Sequence, residues 1–302
     1  DEFSQWMAND CTVCTTLVDT IVPGRIRDPK EAAAVAERLG YEDPFLAVRE
    51  PFQMWGIQGD ESLKERLPFV KAGLPGVFVT PDVTPYKKRK VRILNGAHTA
   101  FVPGSWVAGF DIVRDCMHDE TVRGFMNTML YDEVIPTLAA DLDVEDCKAF
   151  AAAVENRFDN PFIDHALLSI CLNSTAKWRA RDLPTLKDYA AETGNLPKCL
   201  ATSLATLISF YTQELVSREG DGLHLRRSDG TEYTAQDDAF VLDFYAAHAG
   251  ADDAELVHDV LSNEQMWGED LTQIAGLEEF VVNALAVVRS EGVKQAFANA
   301  QA

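Results

Sequence analysis

The sequence predicts a mainly α protein with a small mixed α/β part at its amino terminus. Short runs rich in β-forming residues occur before residue 81, whereas apolar residues recur at helical spacing after about residue 85. No G-x-G-x-x-G or Walker-type glycine run follows any of the predicted strands. We therefore expect an α/β part over residues 1–84 and an all-helical domain over residues 85–302.

The amino-terminal part reads as strand, helix, strand and a further strand. The predicted strands cover residues 16–22, 52–57 and 77–80, and they end near Pro23, Gly59 and Pro81. Between the first two, Asp28 is a predicted N-cap, Pro29 opens the first turn, and the helix closes at Gly40.

The carboxyl-terminal part shows apolar residues with a period near 3.6. The predicted helical segments are residues 122–134, 149–157, 199–215, 238–247, 255–261 and 277–288. Residues 218–236 carry three glycines among charges, so this segment is predicted to be a long surface loop or a short hairpin.

The composition excludes several classes of protein. A chain of 302 residues with 47% hydrophobic residues is long enough to bury a core. Its net charge of −21 disfavours nucleic acid as a partner, and an acidic surface is typical of solubility or a saline habitat. The longest apolar stretch, residues 199–211, is interrupted by Thr and Ser, and no leader begins at Asp1. We therefore expect a soluble, cytoplasmic protein with no membrane partner.

The six cysteines are too few for a disulfide scaffold. Cys11 and Cys14 form the only close pair in sequence, and the remaining cysteines do not supply two further zinc ligands at suitable spacing. Ordinary buried thiols and no metal site are the prediction.

The densest charged feature is the cationic run over residues 86–92, which is followed by Asn95 and His98. Such a run is often a solvated helix face or an anion-binding patch. On a regular helix, however, Lys90, His98 and Asn95 fall at roughly 0°, 80° and 140°, so three unlike polar groups share one side. A lysine handles protons near neutral pH only if burial or neighbouring positive charge lowers its pKa from roughly 10.4 toward 7–8.

The spacing Lys90-x4-Asn95-x2-His98 resembles the signature of the polyol-specific long-chain dehydrogenases, the mannitol dehydrogenase family. The surrounding residues are most similar to the branch that contains the altronate oxidoreductases, also called tagaturonate reductases. The similarity extends over nearly the whole chain, in blocks at residues 14–19, 57–59, 82–86, 157–161, 172–177, 236–238 and 270–277.

The resemblance implies a helical, 6-phosphogluconate dehydrogenase C-terminal-like domain and a metal-independent oxidoreductase that interconverts D-tagaturonate and D-altronate. Hydride would move to or from a nicotinamide cofactor, NAD(H). By the same resemblance Lys90 is the general acid/base, Asn95 polarises the carbonyl oxygen, and His98 orients the substrate. Lys177 corresponds to a second substrate-contacting lysine, although by itself it would read as an exposed helix lysine.

The sequence also departs from the mannitol-specific pattern. Gln58-Gly59 and Ser169 stand where mannitol dehydrogenases carry an acidic pair and an arginine. The resemblance therefore favours a hexuronate, a sugar acid, over mannitol. Its carboxylate would meet Arg179, which we expect to bind substrate, or else Arg181 or His165; each of the three is alternatively a surface or structural residue.

The glycine fingerprint of the family's amino-terminal cofactor domain has no counterpart here, so cofactor-binding residues remain unassigned. We expect residues 1–84 to be the remainder of that domain, and the isolated chain to bind cofactor poorly and to be inactive. The alternatives are a fructuronate reductase or another polyol dehydrogenase, and, from a different class, a non-catalytic helical binding or assembly module. Comparing ketose acids as substrates would distinguish the alternative dehydrogenases from a tagaturonate reductase. An in-frame G-x-G-x-x-G upstream of Asp1 would argue against the non-catalytic module.

Overall fold

A three-stranded sheet organises the amino-terminal unit, Asp1–Lys90. The computed structural model describes residues 1–26 and 28–302 of the chain. The strands lie in the order β1 (Thr16–Asp19), β2 (Met54–Gln58) and β3 (Val77–Thr80), with β1 antiparallel and β3 parallel to β2. All three predicted strands are confirmed, although β1 ends at Asp19 instead of residue 22.

Short helices connect and flank these strands. They are α1 (Glu2–Asp10), α2 (Pro29–Leu39), α3 (Glu61–Arg66), α4 (Pro68–Lys71) and α5 (Thr84–Arg89). Helix α2 confirms the prediction at both ends, because the Asp28 carboxylate accepts from the Lys30 N–H at 2.8 Å and Gly40 adopts a left-handed φ of 81°.

The core of this unit is small. Leu17, Met54 and Val83 are buried together, and the partly buried rings of Phe78 and Tyr86 pack against them. These side chains come from all three strands and from the start of α5, so the cluster ties the sheet to that helix.

The second unit, Val91–Ala302, is predominantly helical. A π-helical segment, Lys90–Asn95, leads into it, and a second one spans Met129–Val134. Its helices are α6 (Gly96–Val107), α7 (Val113–His118), α8 (Glu120–Thr128), α9 (Val144–Phe158), α10 (Leu167–Ile170), α11 (Ser174–Arg181), α12 (Leu183–Thr193), α13 (Lys198–Tyr211), α14 (Ala239–Ala247), α15 (Asp253–Leu261), α16 (Glu264–Trp267), α17 (Leu277–Glu291) and α18 (Val293–Ala300), with 3-10 turns at Pro136–Leu138 and Leu271–Gln273.

Helix α13 is the centre of this unit. Every residue from Cys199 to Tyr211 is buried, and the helix packs against α6, α17 and α18. A helix that carries only apolar or small uncharged residues on all its sides belongs in a protein interior, which explains the long stretch without charges over residues 199–211. None of the helices in the described part of the chain has the length and apolar character needed to cross a membrane.

The expectation that the second region is entirely helical is wrong over residues 214–235. Strands β4 (Glu214–Glu219), β5 (Gly222–Arg226) and β6 (Glu232–Ala235) form an antiparallel meander. The physical reason is the alternation of inward apolar residues, since Leu223, Leu225, Tyr233 and Ala235 are all buried. The predicted loop or hairpin is thus a three-stranded sheet.

The division between the units falls between Lys90 and Val91, later than the residue 84/85 boundary predicted from periodicity. The change of period near Pro85 marks the start of α5, and this helix belongs entirely to the first unit, which ends at Lys90.

The six cysteines form no disulfide among the described residues. Four of them, Cys116, Cys147, Cys171 and Cys199, are buried, whereas the pair near the amino terminus is half-buried. Within residues 1–26 and 28–302, no three His, Cys, Asp or Glu side chains are grouped as metal ligands would be.

Candidate active site

Residues 90–95 do not follow regular α-helical geometry. They form a single π-helical segment, with backbone hydrogen bonds between residues five apart. The angle of roughly 140° between Lys90 and Asn95, which assumes a regular helix, therefore does not apply to this segment. Such turns are frequent at functional sites.

Lys90 is the last residue of the amino-terminal unit. Its side chain is half-buried, and Nζ donates to the carbonyl oxygen of Val18 in β1 at 2.8 Å. The ammonium is thereby held at one place by the sheet of its own unit.

Asn95 and His98 belong to the second unit, at the start of α6. The Asn95 carbonyl oxygen accepts from the Thr99 hydroxyl at 3.0 Å. The His98 ring is buried, stacks on Phe158 at 4.0 Å between centroids, and meets the His165 ring edge-on at 5.4 Å. Its Nε2 is buried and has no hydrogen-bond partner among the described residues, which leaves one polar atom for a ligand.

The electrostatic surroundings of His98 are cationic. Burial lowers the pKa of His98 well below its usual value, and His165, Arg181, Arg157 and Lys177 lower it further by charge repulsion. Burial likewise lowers the pKa of His165. Both rings are therefore neutral near pH 7, and each has one nitrogen that donates and one that accepts.

Helix α11 supplies Lys177 and Arg181. Its Trp178 is buried, and the indole Nε1 donates to the Ser203 hydroxyl of α13 at 2.9 Å, which fixes the helix on the core. Lys177 and Arg181 are four residues apart and so share a face. Burial lowers the pKa of both side chains, and their mutual repulsion lowers that of Lys177 further.

Arg179 lies on a different side of α11 from these two cations. It is exposed, and its guanidinium occupies the space where a Cβ on Gly268 would lie, 2.2 Å from Nη2. The structure brings Lys177, Arg181 and His165 to His98 and does not bring Arg179 there. The structure gives no support to substrate binding by Arg179, because two residues along a helix rotate the side chain by about 200°.

Asp237 holds the start of α11. Its carboxylate accepts from the Thr175 N–H at 3.0 Å and from the Tyr211 hydroxyl. Asn173, immediately before the helix, has a positive φ of 53°. A carboxylate at a helix amino terminus replaces the missing side-chain cap and fixes where α11 begins. Sequence reasoning placed Asp237 in a family block but could not assign it this partner, because 62 residues separate it from Thr175.

Asp182 is a second residue that sequence reasoning missed. Its carboxyl is buried beside Gly96, where a Cβ would lie only 2.8 Å from Oδ1, and Oδ2 has no partner among the described residues. Burial raises its pKa well above the usual value, although Arg181 and Arg92 oppose this. Nothing in the spacing of the sequence distinguishes Asp182 from a solvated helix residue.

The relatives of the chain identify its family. Residues 82–289 match the family model described as the mannitol dehydrogenase C-terminal domain. The chain belongs to the mannitol dehydrogenase family. This match begins just before α5 and covers nearly all of the second unit.

Curated relatives are similar to the chain over almost all of its length. A protein of Yersinia enterocolitica named altronate oxidoreductase is 41% identical over 302 residues, covering 98% of this chain and 59% of the relative. One of the same name from an Enterobacter species is 42% identical over 301 residues, with the same coverage. The chain thus spans about 59% of the length of these relatives.

Two solved structures share the fold. Mannitol 2-dehydrogenase of Pseudomonas fluorescens, in a ternary complex with NAD and D-mannitol, has a TM-score of 0.77 and 22% identity, covering 99% of this chain and 56% of that one. A substrate-free D-sorbitol dehydrogenase has a TM-score of 0.75 and 21% identity, covering 98% and 56%. The mainly α class predicted from the sequence is confirmed.

Proposed function

We propose that this chain is the catalytic and substrate-binding part of an oxidoreductase that interconverts D-tagaturonate and D-altronate with a nicotinamide cofactor. The observation that carries the proposal is the identity of 41–42% to altronate oxidoreductases across 98% of the chain. The motif Lys90-x4-Asn95-x2-His98 agrees with it.

The charges around His98 support a sugar acid as substrate. Lys177 and Arg181 are half-buried cations, and neither forms an ion pair with an acidic residue in the described part of the chain. Partly desolvated cations without counter-ions favour binding of an anion. A hexuronate brings such an anion, whereas a neutral polyol does not.

The proposed roles follow from the demands of ketone reduction. When bound, a nicotinamide cofactor supplies the hydride, and the carbonyl oxygen of the substrate then requires a proton. The Lys90 ammonium donates that proton, and in alcohol oxidation the neutral Lys90 amine accepts it back. The Asn95 amide donates to the oxygen on which negative charge develops. Neutral His98 hydrogen-bonds a substrate hydroxyl through Nε2.

The strand-to-helix junctions of the amino-terminal unit do not fit a dinucleotide. Asp28, Asp60 and Asp82 stand at the starts of α2, α3 and α5, and each carboxylate accepts from a backbone N–H two residues later at 2.8–2.9 Å. A pyrophosphate binds at such helix starts through the same N–H groups and would meet a negative charge there. We assign no cofactor contact to these residues and derive no step through the cofactor.

The test is ketone reduction by the full-length enzyme. We expect Lys90→Ala nearly to abolish reduction of tagaturonate, and Asn95→Ala to lower its rate by about 10²–10³-fold because one preorganised donor is lost. His98→Ala should affect substrate binding more than the chemical step.

The pH dependence of the Lys90→Ala protein provides the control. Adding a small primary amine should restore part of the rate if the lysine acts through its amine. A mutant with the wild-type rate and the wild-type pH profile would show that Lys90 is only part of a solvated cationic face. Faster reduction of fructuronate or of a neutral ketose by the wild type would show that the substrate assignment is wrong.

A further inference from the structure

The guanidinium of Arg181 is hydrogen-bonded within the described part of the chain through Nη1 only. Its Nη1 donates to the Thr99 hydroxyl at 2.9 Å and weakly to the Asn95 carbonyl oxygen at 3.4 Å. Its Nε and Nη2 hydrogen-bond no residue of the chain over residues 1–26 and 28–302. The guanidinium is therefore held in place by α6 while the edge formed by Nε and Nη2 remains available.

No acidic side chain among the described residues forms an ion pair with Arg181. Asp182 is adjacent in sequence and buried, and burial raises its pKa well above the usual value, although the charges of Arg181 and Arg92 oppose this. The Asp237 carboxylate, near Lys177, is engaged by the Thr175 N–H and the Tyr211 hydroxyl. A half-buried guanidinium left without a counter-ion loses solvation that an anionic ligand would restore.

A bidentate contact requires two parallel N–H donors in one plane. The Nε–Nη2 edge of an arginine provides this pair, and a carboxylate matches it in width and charge. Lys177, one turn earlier on the same face of α11, has its Nζ bound to the Ile170 carbonyl oxygen at 2.9 Å and offers only a point charge. Only Arg181 of these two cations offers the planar fork.

We propose that the Nε–Nη2 edge of Arg181 binds the carboxylate of the hexuronate, and that this contact selects sugar acids over neutral ketoses. The assignment rests on the proposed function. Arg181 is anchored by its hydrogen bonds to the Thr99 hydroxyl and to the backbone carbonyl of Asn95. These bonds connect the guanidinium that would bind the carboxylate to Asn95, the residue proposed to polarise the substrate carbonyl. The substrate is thus held at its acid end by a group whose position is set by α6.

The experiment compares two substrates in three variants of the full-length enzyme. The substrates are the ketohexuronate and the neutral ketohexose of the same stereochemistry. Arg181→Met removes the charge and the fork, Arg181→Lys keeps the charge alone, and Arg179→Met is the matched control on the exposed side of the same helix.

We expect Arg181→Met to lower kcat/KM for the hexuronate by about 10²-fold, chiefly through KM, because a charge-assisted bidentate contact is lost. Arg181→Lys should recover only part of this loss. The neutral ketose should change by less than about threefold, and Arg179→Met should leave both substrates unchanged. Added guanidinium ion should partly restore the hexuronate activity of Arg181→Met.

Several results would overturn the assignment. Equal losses for both substrates in Arg181→Met would show a structural role through Thr99 and Asn95. An unchanged KM for the hexuronate, or a loss carried by Arg179→Met, would place the carboxylate elsewhere. If the wild type itself reduces neutral ketoses but no hexuronate, the proposed function is wrong. Because this result comes from the wild type alone, it is distinguishable from a failure of the Arg181 assignment, which is measured in the variants.

Discussion

The two units bury their apolar side chains to very different degrees. Most of the exposed large hydrophobic residues in the described chain lie in Asp1–Lys90, including Phe3, Trp6, Tyr41 and Phe45. In Val91–Ala302, by contrast, α13 is buried along its length. Hydrophobic stabilisation scales with the apolar area removed from water, so most of the folding free energy resides in the second unit.

The helices show the same contrast. Helices α1 and α2 bury no side chain, although α2 is well capped at both ends. Isolated helices of this length are marginal in water, because most helical stability in proteins comes from packing of one face. The capping residues therefore determine where α2 begins and ends, but they contribute little to its stability.

The largest expected difference concerns amide hydrogen exchange. We expect the amides of α13 to exchange only on global unfolding, at about 5–15 kcal/mol, and those of α2 through local opening at a few kcal/mol at most. Mass-spectrometric exchange of the two helices in one sample measures both. Equal protection would mean that burial does not govern the stability of the two units.

A pair of matched substitutions sharpens the contrast. Phe125 is fully buried at 0% exposure and stacks on Phe297 at 3.9 Å, whereas Phe45 is 81% exposed. Phe125→Ala should lower the free energy of unfolding by about 3–5 kcal/mol, because it leaves a cavity. Phe45→Ala should change it by no more than about 0.5 kcal/mol. Urea unfolding gives both values, and a comparable loss in the two variants would contradict the comparison.

The second unit also carries a buried carboxyl group that responds to pH. Glu133 accepts from the N–H groups of Cys199 and Leu200 at 2.7 and 2.9 Å, and burial raises its pKa to about 7. Because the folded-state pKa lies above the unfolded value, the protonated Glu133 carboxyl stabilises the fold, and this stabilisation is fully present below about pH 4.5. It is lost as pH rises through 7, which lowers the free energy of unfolding by about 2–3 kcal/mol.

The Glu133→Gln variant isolates this contribution. The free energy of unfolding of the wild type should fall relative to that of Glu133→Gln as pH rises from about 4.5 to 7, and the difference should level off above about pH 7. Thermal or urea unfolding across this range is the measurement. A difference between the two proteins that stays constant with pH would show that Glu133 does not titrate there.

The site could be predicted only in part. The motif residues Lys90, Asn95 and His98 were found from spacing, but the π-helical segment changed the angle between two of them. Helical spacing from Lys177 was a usable signal for Arg181, since the two are four residues apart. The capping of α11 by Asp237 could not be predicted from the sequence, because its partner Thr175 is 62 residues away.

The sequence alone determined features whose cause is local. The ends of α2 are set by Asp28, Pro29 and Gly40, which cap the helix without any distant partner. The spacing of Lys90, Asn95 and His98 is a signature of the family that is visible in the sequence itself. Only the tertiary structure decided which side of α11 faces His98. That choice depends on Trp178 meeting Ser203 of α13, and on Arg181 meeting α6. Such contacts are set by packing between distant segments, which periodicity within one segment cannot specify.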